Sequence, residues 1–576
     1  MTNFKPSIVQ IAEICARNGV SNFIISAGSR SAPLTLAFVR HPNLTCRTVV
    51  DERSAAFIAL GLAQQLEKPV GLVCTSGTAV LNYAPAVAEA FYQQIPLLVF
   101  TADRPPEWID QNDNQTIHQR EVFRPHCRGS FELPVDTSHP DARWHSERII
   151  SEAIHLSLQP VAGPVHINVP LREPLYPDSE FNYHEDCKTI FPTPATRVLE
   201  DAVWSELMTV WQTASRRLIL GGLNKPSPAL ADALTALQQD EQSVFIGDVT
   251  SNLHGVQKVF FSDFITGTDS ESLLHELAPE LLVSFGGPVV SKNLKSFLRR
   301  FKPQNHWHIQ TDFRFIDTFQ SLTRVVPVSP EYFFTNLAGL ADLNKSDKKT
   351  QTTPNLNTFF GVWSKLDHRA RQAFKTFLQH LPHCEFSVMN LLLRSLPSSS
   401  QVQLGNSFIV RLANFLGLEP TSKIRVNSNR GTSGIDGTLS TAVGAALATE
   451  DLTTAIIGDL AFFYDRNALW HRYLPSNLRI VVINNQGGGI FRILDGARDL
   501  PELAEHFEVE HGLTAKNTAQ DHGLNYLACD SLATLERTLK EIFSPAEKPA
   551  ILEILTDKKV NTDTFLQFKS MMKEFT

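Results

Sequence analysis

The sequence predicts an α/β protein of three α/β domains with mostly parallel central sheets. Short β-branched runs alternate with helix-like stretches, the pattern of βαβ units. Polar, Gly- or Ser-rich turns follow the apolar runs. The 576-residue length and 43% hydrophobic content suit several separate cores. A formal charge of −8 argues against a general nucleic-acid binder. No basic-then-apolar leader and no run of about 18 apolar residues is seen, so neither a signal peptide nor a membrane span is expected. Seven cysteines without a C-x-x-C pair suit reduced thiols, and a cytoplasmic location is expected.

In chain order, Asn22 to Ser26, Thr48 to Val50, Val70 to Cys74 and Leu97 to Thr101 read as strands, with a helix from Ser54 to Leu66. Val165 to Val169 is a further strand. The Pro-rich run Pro170 to Pro177 then closes a first domain, residues 1–180. A second block, 200–343, has strands starting at Arg217, at Ser243 and at Leu281. The polar stretch Asn344 to Asn357 reads as a linker. The third block, 358–576, has strands at Val402 to Leu404, Thr453 to Ile457 and Leu478 to Ile483, with a helix over Ala461 to Tyr473.

That last βαβ unit carries the most chemistry. Its crossover makes the two strands parallel, so both polar ends emerge on one edge of the sheet. Asp459 and Asn485 therefore converge. A carboxylate, an amide oxygen and a backbone carbonyl near Gly487 form an all-oxygen set suited to Mg²⁺. The helix opening at Gly458-Asp459 favours a phosphate group.

Other strand ends carry polar turns. Glu52, in Asp51-Glu52-Arg53, is either a helix N-terminal acid or a carboxyl with a raised pKa. Ser29 and Arg30 lie in a turn that can cradle an anion, and Thr78 closes a similar one. Arg104 is either an ion-pair partner or a carboxylate clamp. Asn114 and Gln115 lie just beyond it. Ser407 and Arg411 share a helix face if a helix starts there. Arg430, Gly434 and Ile435 lie in a long Gly-rich connection. Gly487 to Phe491 is a flexible turn ending in two apolar groups.

The stretch GDL…NN, from Gly458 to Asn485, resembles the GDG…NN signature of the thiamine-diphosphate-dependent enzymes, with Leu460 in the third position. GSRSAPLT, DERSAAF, TSGTA, TADRPPE, GNS…R, SNRGTSGIDG, YDRNAL and NNQGGGIF are similar to the pattern of one carboligating branch, in the same order from Gly28 to Phe491. Ala27 stands where that branch has Pro, and Asn293 where it often has a second cation. The resemblance implies a thiamine-diphosphate-binding fold, with an N-terminal pyrimidine-binding and a C-terminal diphosphate-binding domain. It implies decarboxylation of 2-oxoglutarate and conjugate addition of the succinyl semialdehyde carbanion to isochorismate, in menaquinone biosynthesis. It places Glu52, Gln115 and Ser407 in catalysis. Ser29, Thr78, Gly434, Ile435, Gly458, Asp459 and Leu460 would bind thiamine diphosphate, with Ile435 as an apolar wedge. Asp459, Asn485 and Gly487 would hold Mg²⁺, or Mn²⁺ in its place. Arg411 and Arg430 would hold 2-oxoglutarate, while Arg30, Arg104 and Lys292 face isochorismate. Asn114, Ile490, Phe491 and Leu494 would line the substrate site. The family places Glu52 of one chain against Asp459 of another, which implies at least a homodimer, with a homotetramer expected. The rival readings are an acetolactate-synthase-like enzyme with FAD in the middle domain, and a non-catalytic cofactor-binding scaffold.

Overall fold

The computed structural model describes residues 6–176, 181–183, 186–343, 357–494 and 496–576. The expected linker from Asn344 to Asn357 lies outside the described residues except for Asn357, as does Pro177 of the Pro-rich run. Three parallel sheets follow one another along the chain, as the strand–helix alternation predicts. The first contains β1 (Asn22–Ile25), β2 (Thr45–Thr48), β3 (Val70–Cys74), β4 (Leu97–Asp103), β5 (Gly129–Glu132) and β6 (Pro164–Pro170), in the order β2-β1-β3-β4-β6-β5. The second contains β7 (Arg217–Gly221), β8 (Ser243–Gly247), β9 (Leu281–Phe285), β10 (Asn305–Ile309) and β11 (Arg324–Val326), in the order β11-β10-β9-β7-β8. The third contains β12 (Gln401–Leu404), β13 (Arg425–Ser428), β14 (Thr453–Gly458), β15 (Leu478–Asn484), β16 (Asn525–Cys529) and β17 (Ala550–Leu555), in the order β13-β12-β14-β15-β17-β16. β14 and β15 pair in parallel from Thr453 with Leu478 to Gly458 with Ile483.

Two elements differ from the sequence reading. The second strand is Thr45–Thr48, not Thr48 to Val50, because pairing with β1 sets its register. Val49 still donates to Ile25 O at 3.0 Å, and Asp51 then caps the Glu52–Leu66 helix by accepting from the Ser54 N–H at 3.2 Å. The helix after β14 is Asp459–Asp465 and passes into a 3₁₀ turn, Arg466–Leu469, so it ends before Tyr473. Asn467 Nδ2 donates to Asp51 Oδ2 at 2.7 Å there, and the chain turns away.

The first and third sheets meet through two small-residue helices, Glu52–Leu66 and Thr438–Ala446. A Cβ at Gly61 would lie 2.0 Å from Thr441 O, and one at Gly444 would lie 2.0 Å from Ile58 O. Backbone packs directly on backbone, and Ile58, Leu62, Leu439 and Val443 share one buried apolar cluster around the contact. A second large cluster joins the middle sheet to the third through Leu220, Ile246, Phe264, Val402 and Phe568. Among the described residues, no helix is long and apolar enough to cross a membrane.

Candidate active site

In an open parallel sheet, ligands bind where the strand order reverses, outside the carboxyl ends of the strands. In the third sheet that point lies between β12 and β14, where the turns at Gly405 to Ser407 and at Gly458-Asp459 emerge. Asp459 is 2% exposed. Its Oδ1 accepts from the Leu460 N–H at 2.7 Å and its Oδ2 from the Gly487 N–H at 2.9 Å. The ends of β14 and β15 thus converge, as the crossover argument requires. Burial raises the Asp459 carboxyl above its ordinary range, against the lowering effect of these N–H groups and of His511, whose Nε2 is 3.4 Å from Oδ2.

Asn485 is held from behind. Its Nδ2 donates to Glu385 Oε1 at 2.7 Å, while its Oδ1 is buried with no hydrogen-bond partner. An orphaned buried acceptor beside a buried carboxylate fits an oxygen-seeking cation. Gly458 adds a second sign. Its φ of −77° is open to any residue, and a Cβ there would meet nothing within 4 Å. Neither backbone nor packing demands glycine at this turn, whereas close approach by a diphosphate does. Among the described residues no three His, Cys, Asp or Glu side chains are grouped to hold a metal, so the fit is to the Asp–Asn–carbonyl set.

Glu52 opens its helix, half-buried. Burial, the largest cause, and the nearby Asp51 push its carboxyl upward. Both sequence readings hold at once, a helix N-terminal acid and a raised carboxyl. Arg53 Nη2 donates to Tyr464 O at 2.7 Å and stacks 4.5 Å over the Tyr464 ring. Tyr464 and Asn467 stand at the far end of the short helix that Asp459 opens. Within one chain the Asp51–Arg53 corner therefore meets the end opposite Asp459.

The turns after β1 and β3 are pressed together, since a Cβ at Gly28 would lie 2.2 Å from Thr75 Cβ. Ser29 and Thr78 are exposed at their rims. Arg30 Nη1 donates to Leu171 O at 3.0 Å, and burial followed by repulsion from Arg104 lowers its pKa. Arg104 is engaged within its own domain. Its Nε donates to Asp113 at 2.9 Å, Nη1 to Ser76 Oγ at 2.8 Å and Nη2 to Asn114 O at 2.5 Å. The ion-pair reading describes this geometry. Gln115 is exposed with φ +55°, next to Gly77. Gln119 is buried and accepts from the Gly77 N–H at 2.9 Å, a support the sequence reading missed.

Ser407, at φ +67°, turns the chain from β12 into the Phe408–Leu416 helix. Arg411 Nη1 donates back to Ser407 O. Arg430 Nη1 donates to Asn406 Oδ1 at 3.0 Å, and Asn406 Nδ2 donates to Gly434 O at 2.7 Å. Burial lowers both arginine pKa values, and Arg430 further lowers that of Arg411. Lys292, at the start of the Lys292–Arg300 helix, is exposed. The cation brought to the arginine pair is Lys295. Burial lowers its pKa, and so do Arg430 and Arg411. One helical turn along, Lys295 Nζ donates to Val289 O at 3.1 Å and feels the charge of both arginines, which a reading by motif alone does not show. Ile435 is 40% exposed, an apolar side chain without cover. Ile490 and Phe491 lie in the 3₁₀ turn Gly489–Ile493, Phe491 meets Phe507 edge to face at 5.6 Å, and Leu494 is exposed. Leu460 is half-buried beside Asp459.

Known proteins resemble the chain over nearly its whole length. The family description "thiamine pyrophosphate enzyme, N-terminal TPP binding domain" matches residues 9–122. A 2-succinyl-5-enolpyruvyl-6-hydroxy-3-cyclohexene-1-carboxylate synthase of Cytophaga hutchinsonii is 42% identical over 571 residues, 99% of each chain. The synthase of the same name from Flavobacterium johnsoniae is 41% identical over 98% of each chain. That of Bacteroides fragilis is 33% identical over 100% of each chain.

Proposed function

The chain belongs to the 2-succinyl-5-enolpyruvyl-6-hydroxy-3-cyclohexene-1-carboxylate synthase family of thiamine-diphosphate enzymes, and from that premise we propose how its own residues run the reaction. The substrates are 2-oxoglutarate and isochorismate, and the products are the named cyclohexene carboxylate and CO₂. Thiamine diphosphate, when bound, supplies the nucleophilic carbon and the electron sink. Asp459, the Asn485 amide oxygen and the Gly487 carbonyl would hold Mg²⁺ or Mn²⁺. Gly458 and Leu460 leave room for the diphosphate, and Ser29, Thr78, Gly434 and Ile435 border the rest of the cofactor. Glu52 stores and exchanges a proton, a task its burial-raised pKa favours.

Arg411 and Arg430 take the distal carboxylate of 2-oxoglutarate, with Ser407 beside them. Arg30 and Lys292 face isochorismate with Asn114 and Gln115. Arg104 holds the Asn114 loop in place rather than touching substrate. Ile490, Phe491 and Leu494 exclude water around the new carbon–carbon bond. The separation of Glu52 from the Asp459 end of its neighbouring helix supports a site completed by a second copy, a homodimer at least. Exposed Val50, Tyr464 and Trp470 at that corner support the same assembly.

The orphaned Oδ1 of Asn485 beside buried Asp459 carries this reading. Mixing the protein with thiamine diphosphate, Mg²⁺, 2-oxoglutarate and isochorismate tests it. Loss of isochorismate is expected, and Asp459→Ala should abolish it or shift the Mg²⁺ midpoint strongly upward. Untouched isochorismate with CO₂ released from pyruvate would overturn the assignment.

A further inference from the structure

Asn485 has one amide and two ways to present it. The oxygen and the nitrogen are nearly equal in shape, but only the oxygen can bind a cation. What decides between them is the group behind the amide. Glu385 is the first residue of the Glu385–Ser395 helix, and its side chain is buried. Its backbone N–H donates to Asn561 Oδ1 at 3.0 Å, and Asn561 Nδ2 donates to Thr556 Oγ1 at 3.0 Å, so the carboxylate is anchored at its root. Glu385 Oε1 accepts from Asn485 Nδ2 at 2.7 Å. With its nitrogen committed, the amide turns Oδ1 the other way, where it is buried and unpartnered. A flipped amide would set two oxygens against each other and aim an N–H₂ group at the cation.

We propose that Glu385 is a positioning residue for the metal site, fixing the Asn485 amide so that its oxygen faces the cation. The inference rests on the metal reading given above. Glu385 itself does not ligate; it acts through Asn485. The carboxylate of a distant helix thereby selects a hard, oxygen-seeking cation at the end of β15.

Titration of Mn²⁺ into the enzyme with thiamine diphosphate, with free Mn²⁺ read by electron paramagnetic resonance, tests this without an activity assay. Asp459→Ala comes first, and Mn²⁺ binding unchanged by it would sink the metal reading itself. With that control passed, Glu385→Leu is expected to weaken Mn²⁺ binding about 10- to 100-fold. Glu385→Gln keeps an acceptor oxygen and is expected to bind Mn²⁺ like the wild type. Wild-type affinity in Glu385→Leu would overturn the proposal. So would a loss in Glu385→Gln as large as that in Glu385→Leu, since the carboxylate would then act by charge or by direct ligation. If Glu385→Leu does not fold, Glu385→Met, apolar and closer in length, takes its place. Mn²⁺ affinity is expected to fall in Glu385→Met and to hold in Glu385→Gln, and wild-type affinity in Glu385→Met would overturn the proposal.

Discussion

The carboxylate of Glu89 accepts from the backbone N–H groups of both Gly431 and Thr432, at 2.7 and 2.6 Å. Glu89 is buried in the Ala84–Gln93 helix of the first domain, and its two N–H donors lie at the head of the Gly-rich connection of the third. The Thr432 hydroxyl adds a bond of 2.6 Å. The loop that carries Arg430, Gly434 and Ile435 is thus set from another domain. Hydrogen bonds to a charged group contribute about 1.5–3 kcal/mol each. Glu89→Ala is therefore expected to raise KM for 2-oxoglutarate at least about tenfold and to lower the melting temperature. An unchanged KM in a folded variant would mean that the loop holds its shape unaided.

Glu52→Gln is expected to bind thiamine diphosphate nearly as well as the wild type but to slow hydrogen–deuterium exchange at the cofactor C2 by about 100-fold or more. An amide still hydrogen-bonds but does not supply the proton. Nuclear magnetic resonance of acid-quenched cofactor measures the exchange, and a wild-type rate would end the assignment.

Arg411 and Arg104 should separate by phenotype. Arg411→Ala is expected to raise KM for 2-oxoglutarate about tenfold or more while changing that for isochorismate much less. Arg104→Ala breaks the bonds to Asp113, Ser76 and Asn114 together. It should shift both KM values and the melting temperature in concert. A selective rise in the isochorismate KM alone would restore the clamp reading for Arg104.

Asp465 links stability to pH. Its carboxyl, at the end of the Asp459–Asp465 helix, is fully buried against Ser440 of the Thr438–Ala446 helix, and burial raises it from 3.8 to about 7 despite bonds from the Ser440 N–H and hydroxyl. The folded pKa is above the unfolded one, so the folded chain holds the extra proton. Its contribution is complete below about pH 4 and is lost as pH rises through about 7. The span amounts to something on the order of 4 kcal/mol. Denaturant midpoints should fall from pH 5 to pH 8 in the wild type and fall less in Asp465→Asn. Equal slopes would show that Asp465 stays ionised throughout.

Gly61→Ala places a methyl group 2.0 Å from the Thr441 carbonyl. Neither helix backbone can yield cheaply, so a loss of about 3 kcal/mol or more is expected in urea unfolding. A loss below about 1 kcal/mol would show that the helices separate easily.

The parts of the fold with clean local signals were readable from sequence. Val70 to Cys74 and Leu281 to Phe285 are buried apolar runs ended by turn residues, and they form strands where expected. β5, β10, β16 and β17 carried no such signal. β5 is a four-residue edge strand, β10 contains two histidines, and β17 buries Glu553 mid-strand, bonded to Asn484, Ala515 and Tyr526. Tertiary partners pair these polar groups, and a local pattern does not show partners. The site follows the same division. Asp459 and Asn485 were readable because a βαβ crossover dictates which strand ends meet. Glu385, Gln119 and Lys295 were not, because each acts across a contact between segments far apart in the chain.

The two close glycine contacts between the Glu52–Leu66 and Thr438–Ala446 helices are each other's image. Each glycine faces the carbonyl of the residue three positions before its opposite number, Gly61 against Thr441 and Gly444 against Ile58. The sheets behind those helices share one strand order, and each helix enters the third strand of its own set. This is the reciprocity of an isologous interface, residue i against j and j against i, realised inside a single polypeptide. Two identical subunits meeting in this way must present identical edges. Two halves of one chain need not. One half carries an acid at Glu52 and the other an acid at Asp459, and the proposed function gives them different tasks. The local twofold lets a symmetric scaffold carry an asymmetric division of labour between its two sheets.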